Sequence, residues 1–380
     1  MTGAVLVTGA RAPVALDLAR ALRAAGIEVH FADCVTPFAA RALRPRVPIH
    51  RFAPPAYAFQ RFRRDIADLV RRLGIGRVLP TCEEVFYLAA AAAADGWADL
   101  LYAPDLPLLR RLHSKFEFAQ MAAALGLDAP ETLVFDGPIP APPSPERWVF
   151  KPEFSRFATH TLVGPTAASL RALRPSPGRR WVGQQRIEGE EVCGWGAATR
   201  GRLAAFVAYR PRWRHGRAAA FQVEAVEAPA VERIAARVAE ATGLTGQIAF
   251  DVIIDARGRA FPVECNPRAV SGLHLFDAAP GLAAAILCGE AVPSPPAGRL
   301  RHLSPAMALL GVPAATAAGR LGALVADWRA GSDVVGRGSA GVLAGCLADA
   351  ARFSATALAK GLTPAGATTA DIEWDGGPIR

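Results

Sequence analysis

Residues 248–268 read Ile-Ala-Phe-Asp-Val-Ile-Ile-Asp-Ala-Arg-Gly-Arg-Ala-Phe-Pro-Val-Glu-Cys-Asn-Pro-Arg, two apolar runs separated by turn-forming residues. This pattern predicts a β-hairpin. A turn centred between Arg257 and Gly258 places Asp251 opposite Glu264, because both lie equally far from it. Strand alternation then predicts two faces, one apolar and one polar. The apolar face would carry Phe250, Val252, Ile254, Phe261, Val263 and Cys265, and the polar face Asp251, Glu264 and Asn266.

The polar face of this hairpin pairs two carboxylates whose Cβ atoms would lie roughly 5 Å apart, where like charges are destabilising. A divalent cation would remove that repulsion. Carboxylate and amide oxygens suit Mg²⁺ that holds substrate phosphates, with Mn²⁺ as the alternative ion, and Arg268 could contact the bound anion. The competing interpretation is a solvated face whose acids pair with arginine. Asn266 is the only asparagine in the chain, and its presence here favours the metal.

Composition limits the class of protein. The 380 residues are 52% hydrophobic and 20% charged, which excludes a largely disordered chain. The six cysteines lie far apart without metal-site spacing, which favours a reducing cytoplasm. The N-terminus lacks the features of a signal peptide and the apolar run at 85–94 is too short to cross a bilayer, so we expect a cytoplasmic protein without a membrane segment. The net charge is +9, yet only Lys115, Lys151 and Lys360 are lysines.

The first 107 residues alternate strand and helix patterns, which predicts a parallel sheet of the Rossmann type. Strands are expected near 5–7, 27–31 and 77–79, and helices near 14–25 and 58–73. The first turn supplies only one glycine of the dinucleotide fingerprint, Gly9, and Pro13 removes an N–H where a phosphate would bind. We therefore favour a doubly wound unit without a dinucleotide, although Asp33 stands where that fingerprint has an acid.

The rest of the chain has a β-rich middle and an Ala-rich end. Strands are expected at 132–135, 148–151, 181–185, 192–199 and 203–209, and helices near 114–125, 229–242, 315–330 and 338–361. Proline-rich residues 136–145 predict a loop, and 293–296 mark a boundary. The predicted fold class is α/β followed by α+β and a mainly helical end. For residues 371–376 an edge strand, a lid contact and a dimer surface all stay open.

Five motifs between about residues 105 and 290 resemble those of the ATP-grasp superfamily, specifically its carbamoyl-phosphate-synthase-like branch. Residues 264–268 match E-x-N-P-R, and Asp251 stands where the family has its other acidic ligand. Upstream, Lys115, residues 125–130, Lys151 with Pro152, and residues 184–191 follow in the family's order. Two of only three lysines thus fall where the family has a lysine. A compact ammonium contacts phosphate differently from a planar guanidinium, so their retention supports the resemblance.

The resemblance implies a Rossmann-like pre-ATP-grasp domain over 1–107, an ATP-grasp domain over 108–292 and a helical C-terminal segment over 293–380. It implies ATP and Mg²⁺, with Asp251, Glu264 and Asn266 as metal ligands. Nucleotide binding is implied for Lys115, Lys151, Gln184, Gln185, Arg186, Ile187 and Glu191, the last contacting ribose. Arg268 and Lys151 become the catalytic residues.

The activity implied is that of an ADP-forming ligase that joins a small-molecule carboxylate to an amine, or to another nucleophile, through an acyl phosphate. An ATP-grasp phosphotransferase or carboxyphosphate-forming enzyme is the alternative within the fold. A nucleic-acid-binding protein, suggested by the charge, is a distant alternative, and no motif for it is recognisable. We expect small-molecule partners, no nucleic acid, no membrane and a homodimer.

Substrate residues are predicted at two places. Residues 209–217 contain Arg210 and Arg212, which could clamp an anion or belong to a solvated basic loop. Ser271 and His274 follow the hairpin, and for His274 a packed or capping role is the alternative. The loop after Lys151 departs from the family because it contains no glycine before Gly164. Phosphate contacts could still come from backbone N–H groups, and the hydroxyl of Ser155, Thr159 or Thr161 together with Arg156 could share them.

Overall fold

Three separate sheets and fourteen α-helices make up the part of the chain that the structure, a computed structural model, describes. That part comprises residues 3–155, 160–214, 216, 220–336 and 339–380. The expected mixture of α and β structure is confirmed. The assignment of the first 107 residues to the Rossmann-like class, and the domain boundaries at 107 and 292, stay predictions.

A four-stranded parallel sheet forms the N-terminal part, in the order β3-β2-β1-β4. Its strands are β1 (Ala4–Thr8), β2 (Val29–Asp33), β3 (Ile49–Arg51) and β4 (Ile75–Leu79). The helices of this part are α1 (Pro13–Ala24), α2 (Phe38–Ala42), α3 (Phe59–Arg72) and α4 (Glu84–Asp95). All residues of β1 and β2 are buried, as is typical of parallel strands covered on both faces. The apolar run at 85–94 is the largely buried α4, a helix that the sequence analysis did not separate.

A small antiparallel sheet follows two consecutive helices, α5 (Leu106–His113) and α6 (Lys115–Ala124). Its strand order is β5-β8-β6-β7. The strands are β5 (Thr132–Phe135), β6 (Trp148–Pro152), β7 (Leu162–Val163) and β8 (Trp181–Gln185), with α7 (Ala167–Ala172) between the last two in sequence. Ser114 separates α5 from α6 and caps α6 by accepting a hydrogen bond from Glu117 N. The segment 136–145 forms no strand, as its prolines predict.

The largest sheet has seven strands in the order β13-β12-β9-β10-β11-β14-β15. They are β9 (Glu190–Thr199), β10 (Arg202–Arg214), β11 (Ala220–Val226), β12 (Gly246–Ile254), β13 (Ala260–Asn266), β14 (Leu300–His302) and β15 (Ser332–Asp333). One face packs on α6 and α8 (Pro229–Thr242), through residues that include Phe250 and Val231. The other face, with Trp195, packs on α1 and α9 (Pro280–Cys288). The sheet is therefore a layer between two sets of helices.

The register of the β12–β13 hairpin depends on a bulge that the sequence did not predict. Close to the turn, Ile254 pairs with Ala260 and Val252 with Pro262, so the pairing there is centred on Arg257. A register shift at Val263 then brings Asp251 opposite Glu264, as expected. The same shift corrects the predicted apolar face, because Ala260 rather than Phe261 or Val263 joins the core cluster of Phe250. Pro262 is accommodated because β13 is an edge strand.

The C-terminal segment is mainly helical and also contributes β14 and β15 to the large sheet, two short strands that the sequence analysis missed. Its helices are α10 (Ser304–Ala306), α11 (Val312–Ala317), α12 (Leu321–Ala330), α13 (Ala340–Lys360) and α14 (Pro364–Ala367), with a π-helical turn at Met307–Gly311. Among the described helices, α13 alone is long and apolar enough to span a membrane, by length and composition only. Its Asp349 accepts hydrogen bonds from Phe38 N and Ala39 N, so one side of α13 packs on α2.

The last residues form no strand, so the edge-strand alternative for 371–376 is wrong. Trp374 contacts Phe154 of the loop after Lys151, with ring centroids 5.1 Å apart, which fits the lid-contact alternative, and the dimer surface stays a prediction. Ile372 and Trp374 are buried against the N-terminal part, where Trp374 stacks on Phe86 with ring centroids 4.7 Å apart. Arg11 forms ion pairs with both Asp33 and Asp371. Asp33 stands where a dinucleotide fingerprint has the acid that binds ribose. Here Asp33 is paired with Arg11, and Asp371 of the C-terminal segment binds the same guanidinium.

Candidate active site

The paired acids of the hairpin lie on the same face of the large sheet as Cys193, the face that packs on α1. Asp251 lies opposite Cys193 of β9, whose Sγ donates to Asp251 Oδ1 at 3.3 Å. Glu264 and Asn266 lie two residues apart on β13 and so share its face, with Asn266 Nδ2 3.4 Å from Glu264 Oε1. The structure thus brings together the three predicted metal ligands.

Two lysines from different elements approach Glu264. Lys115, the first residue of α6, has its Nζ 3.8 Å from Glu264 Oε2 and donates to the backbone oxygens of Glu153 and Ser155 at 3.3 and 3.2 Å. Lys151 on β6 donates to Val263 O, the carbonyl of the bulge residue, at 3.3 Å. Both side chains are buried. The small sheet, α6 and the hairpin therefore contribute charged and polar residues to one cluster, here called the acid cluster. Its members are Lys115, Lys151, Asp251, Glu264 and Asn266.

The charges of this cluster shift one another's pKa values. Burial, opposed by Glu264 and aided by Lys115, lowers the pKa of Lys151 to about 8. Burial would raise the pKa of Glu264, but Lys115 and Lys151 outweigh it and the pKa is lowered. Burial raises the pKa of Asp251, and the neighbouring Glu264 and Glu191 raise it further. Glu264 is therefore stabilised in its ionised form. Asp251 is destabilised in its ionised form by burial and by the nearby acids.

The donor chemistry of the cluster fits a hard divalent cation. A cation between Asp251 and Glu264 would remove the repulsion that raises the pKa of Asp251. The available ligands are two carboxylates and the Asn266 amide, all oxygen donors, which suit Mg²⁺ or Mn²⁺. Within the described residues, no set of three or more His, Cys, Asp and Glu side chains is arranged to hold a metal ion. Because Mg²⁺ prefers octahedral coordination, an ion held by these three side chains would also take phosphate or water oxygens.

Arg268 connects the cluster to the N-terminal part of the chain. Its Nη2 donates to Asn266 Oδ1 at 3.1 Å, and its Nε lies 3.5 Å from Oε1 of Glu83. Glu83 is fully buried immediately before α4. Glu83 was not among the predicted site residues. The available signal was an acidic pair, Glu83 and Glu84, in the segment that follows β4, because residues beyond the carboxyl ends of parallel strands often bind ligands.

The predicted nucleotide hinge lies at the end of β8, where the small sheet leads into the large one. Gln184 Nε2 donates to Thr132 Oγ1 at 3.2 Å, and Gln185 N donates to Glu131 O at 2.7 Å. Arg186 and Ile187 occupy the link to β9. Glu191 lies on the same face of the large sheet as Cys193, and an ion pair of 2.8 Å joins it to Arg214. These residues form a continuous segment between the two sheets.

The two arginines predicted to bind substrate form ion pairs with carboxylates other than those of the acid cluster. Arg210 forms an ion pair with Glu190, and Arg212 pairs with Asp327 at 3.1 Å and with Glu224 at 3.6 Å. Ser271 and His274 belong to a short 3-10 helix, Ser271–Phe276. His274 Nδ1 lies 2.7 Å from Oδ2 of the buried Asp17 of α1, so this ring is packed between two elements. Their roles in substrate binding stay predictions, and Arg156, Thr159, His215 and Arg217 lie outside the described residues.

Comparison of the sequence with protein-family models and with curated proteins finds no match. Solved structures do resemble the chain. N5-carboxyaminoimidazole synthetase from Staphylococcus aureus has a TM-score of 0.60 at 10% identity, over 82% of this chain and 85% of that one. N5-carboxyaminoimidazole ribonucleotide synthetase from Thermus thermophilus has 0.57 at 18%, over 78% and 81%. L-amino acid ligase from Bacillus licheniformis has 0.53 at 15%, over 72% and 68%.

At these identities the likeness concerns the fold. These structural neighbours are ATP-grasp ligases, and the chain has the ATP-grasp fold that the sequence motifs predict.

Proposed function

We propose that this protein is an ATP-dependent, ADP-forming ligase that activates a small-molecule carboxylate as an acyl phosphate and transfers it to an amine or another nucleophile. The observation that carries the proposal is the meeting of two buried lysines with the paired acids, seen in the 3.8 Å approach of Lys115 Nζ to Glu264 Oε2. Several solved structures of the same fold are named ligases or synthetases, which supports this class.

The described residues divide the work of such a reaction. The segment from Gln184 to Ile187, with Glu191, would hold the nucleoside, while Lys115 and Lys151 neutralise the phosphates. Asp251, Glu264 and Asn266 would hold Mg²⁺, which supplies charge neutralisation at the terminal phosphates when bound. Catalysis then consists mainly of alignment and charge stabilisation.

The proposed chemistry has two steps. A carboxylate oxygen of the substrate attacks the γ-phosphorus of ATP, and the bond to the β-γ bridging oxygen breaks to release ADP. The amine nitrogen then attacks the acyl carbon, inorganic phosphate leaves, and the amine loses a proton to solvent. Arg268, held by Asn266 Oδ1, would stabilise the negative charge on the transferred phosphoryl group.

Measuring ADP release across a panel of amino acids and small carboxylic acids, with mass spectrometry of the products, tests this function. A ligase requires both a carboxylate and a nucleophile, and yields ADP, phosphate and a condensed product in equal amounts. A phosphotransferase yields ADP and a stable phosphorylated compound without free phosphate. A carboxyphosphate-forming enzyme requires bicarbonate. Absence of ATP binding in the presence of Mg²⁺ and Mn²⁺ would contradict all three.

A further inference from the structure

Glu153 is a buried carboxylate that joins the elements carrying the two lysines. It lies immediately after β6, two residues beyond Lys151, and it is 1% exposed. Burying an ionised carboxylate costs free energy of folding unless hydrogen bonds and opposite charges surround it. Glu153 was not among the predicted site residues.

Three side-chain donors satisfy the Glu153 carboxylate. Ser114 Oγ donates to Oε1 at 2.5 Å. Arg180 holds both oxygens as a fork, with Nε 2.6 Å from Oε2 and Nη2 2.8 Å from Oε1. Ser114 caps α6 and Arg180 immediately precedes β8, so one carboxylate ties α6 to two strands of the small sheet.

The backbone of Glu153 forms further links at the same place. Its carbonyl accepts from Lys115 Nζ at 3.3 Å and from Lys115 N at 3.4 Å, and its N–H donates to Arg180 O at 3.0 Å. The ammonium of Lys115 is therefore located by the backbone of Glu153. Lys151 is on β6, the strand that Glu153 immediately follows. A shift of Glu153 would therefore change the separation of the two lysines.

We propose that Glu153 is a positioning residue that holds Lys115 and Lys151 in a fixed arrangement for the ATP phosphates. This proposal rests on the proposed function of the site. Glu153 itself contacts no phosphate in this account, since its oxygens are occupied by Ser114 and Arg180. Its loss should therefore weaken the binding of phosphates and leave the binding of the nucleoside, at the hinge of residues 184–191, unchanged.

The test compares Mg²⁺-ATP with adenosine by isothermal titration calorimetry. In E153Q, an amide nitrogen faces Arg180 in place of a carboxylate oxygen. We expect the Kd for ATP to rise about tenfold, the effect of losing one charge-assisted hydrogen bond, while the Kd for adenosine stays within about twofold. D95N is the matched control, because Asp95 also receives a guanidinium fork, from Arg63, far from the site. It should leave both constants unchanged.

A folded E153Q protein that binds ATP as tightly as the wild type overturns the proposal, and so does an equal loss for ATP and adenosine. If E153Q does not fold, the same two Kd values are measured for R180Q. Arg180 is partly exposed, and its replacement leaves the hydrogen bond between Ser114 and Glu153 in place. There we expect a threefold or larger rise in the Kd for ATP alone, and an unchanged value overturns the proposal. A wild-type protein that binds no ATP contradicts the proposed function instead.

Discussion

The chain contains two cationic regions that differ in the burial of their charges and in the carboxylates that these charges contact. Lys115 and Lys151 are buried and approach the same acid, Glu264. Arg210 and Arg212 on β10 are largely exposed and pair with separate surface carboxylates. The sequence places eleven arginines in residues 171–217, which suggests a strong local field, yet several of these charges are neutralised by neighbours. Burial and convergence on one acid, rather than the number of charges, distinguish the candidate site.

The largest effect is expected for Glu264, the acid whose pKa both lysines lower. E264Q removes the charge that both lysines face and one oxygen ligand of the cation, so ADP formation should fall about 10³-fold or more. Coupled ADP assays with circular dichroism melting check activity and folding together. The control is D255N at the turn of the same hairpin, which should keep wild-type turnover. Wild-type ADP formation by E264Q would show that Glu264 is no metal ligand.

A smaller effect is expected when one lysine becomes an arginine. K151R keeps the charge, but a planar guanidinium does not fit the buried position where Nζ donates to Val263 O. The KM for ATP should rise about tenfold, a cost of about 1.4 kcal/mol. K360R provides the matched control, because Lys360 is exposed on the last turn of α13. Equal KM values for K151R and K360R would remove the special role of the buried ammonium.

The lowered pKa of Lys151 makes a prediction about pH. Above pH 8 the free enzyme loses the Lys151 proton and with it part of its attraction for phosphate, so kcat/KM for ATP should fall by up to tenfold per pH unit. In K151R this alkaline decline should be absent between pH 8 and 9.5, because arginine stays charged. A pH profile measured for both proteins decides. The same decline in both would assign it to another group.

The smallest effects are expected on β10. R210Q removes one surface ion pair and R212Q removes two, each worth about 0–1 kcal/mol, so melting temperatures should fall only slightly. The KM for ATP should change by less than about twofold, since both side chains pair with carboxylates outside the acid cluster. A rise in KM for ATP as large as that of K151R would erase the distinction between the two cationic regions. A rise in KM for the carboxylate substrate alone would support the predicted clamp.

The hairpin shows how far local sequence reasoning reaches. The turn residues and the alternation predicted that Asp251 and Glu264 oppose each other, and they do. The actual turn is centred differently, and a bulge at Val263 restores the pairing. Bulges depend on which neighbouring strand and helix a residue meets, so neither the bulge nor the misplaced Phe261 was predictable from the hairpin sequence.

Glu83 and Glu153 were missed for a related reason. Each is an ordinary acid in the sequence, and each gains its meaning from a partner that lies far away along the chain, Arg268 for Glu83 and Arg180 with Ser114 for Glu153. For His274 the sequence left two alternatives, a substrate residue and a packed ring. Its contact with the buried Asp17 fits the packed ring, and its role in substrate binding stays a prediction.

The sequence by itself determined the order of the motifs, the alternation of the hairpin and the two retained lysines, because these depend on residue types and short spacings. Only the tertiary structure decided which charges meet. Lys115 reaches Glu264, and Lys151 reaches the neighbouring Val263 carbonyl, because α6, the small sheet and the hairpin pack together, whereas Arg210 pairs with Glu190. Electrostatic energy depends on distance and burial, and both are properties of the packed chain.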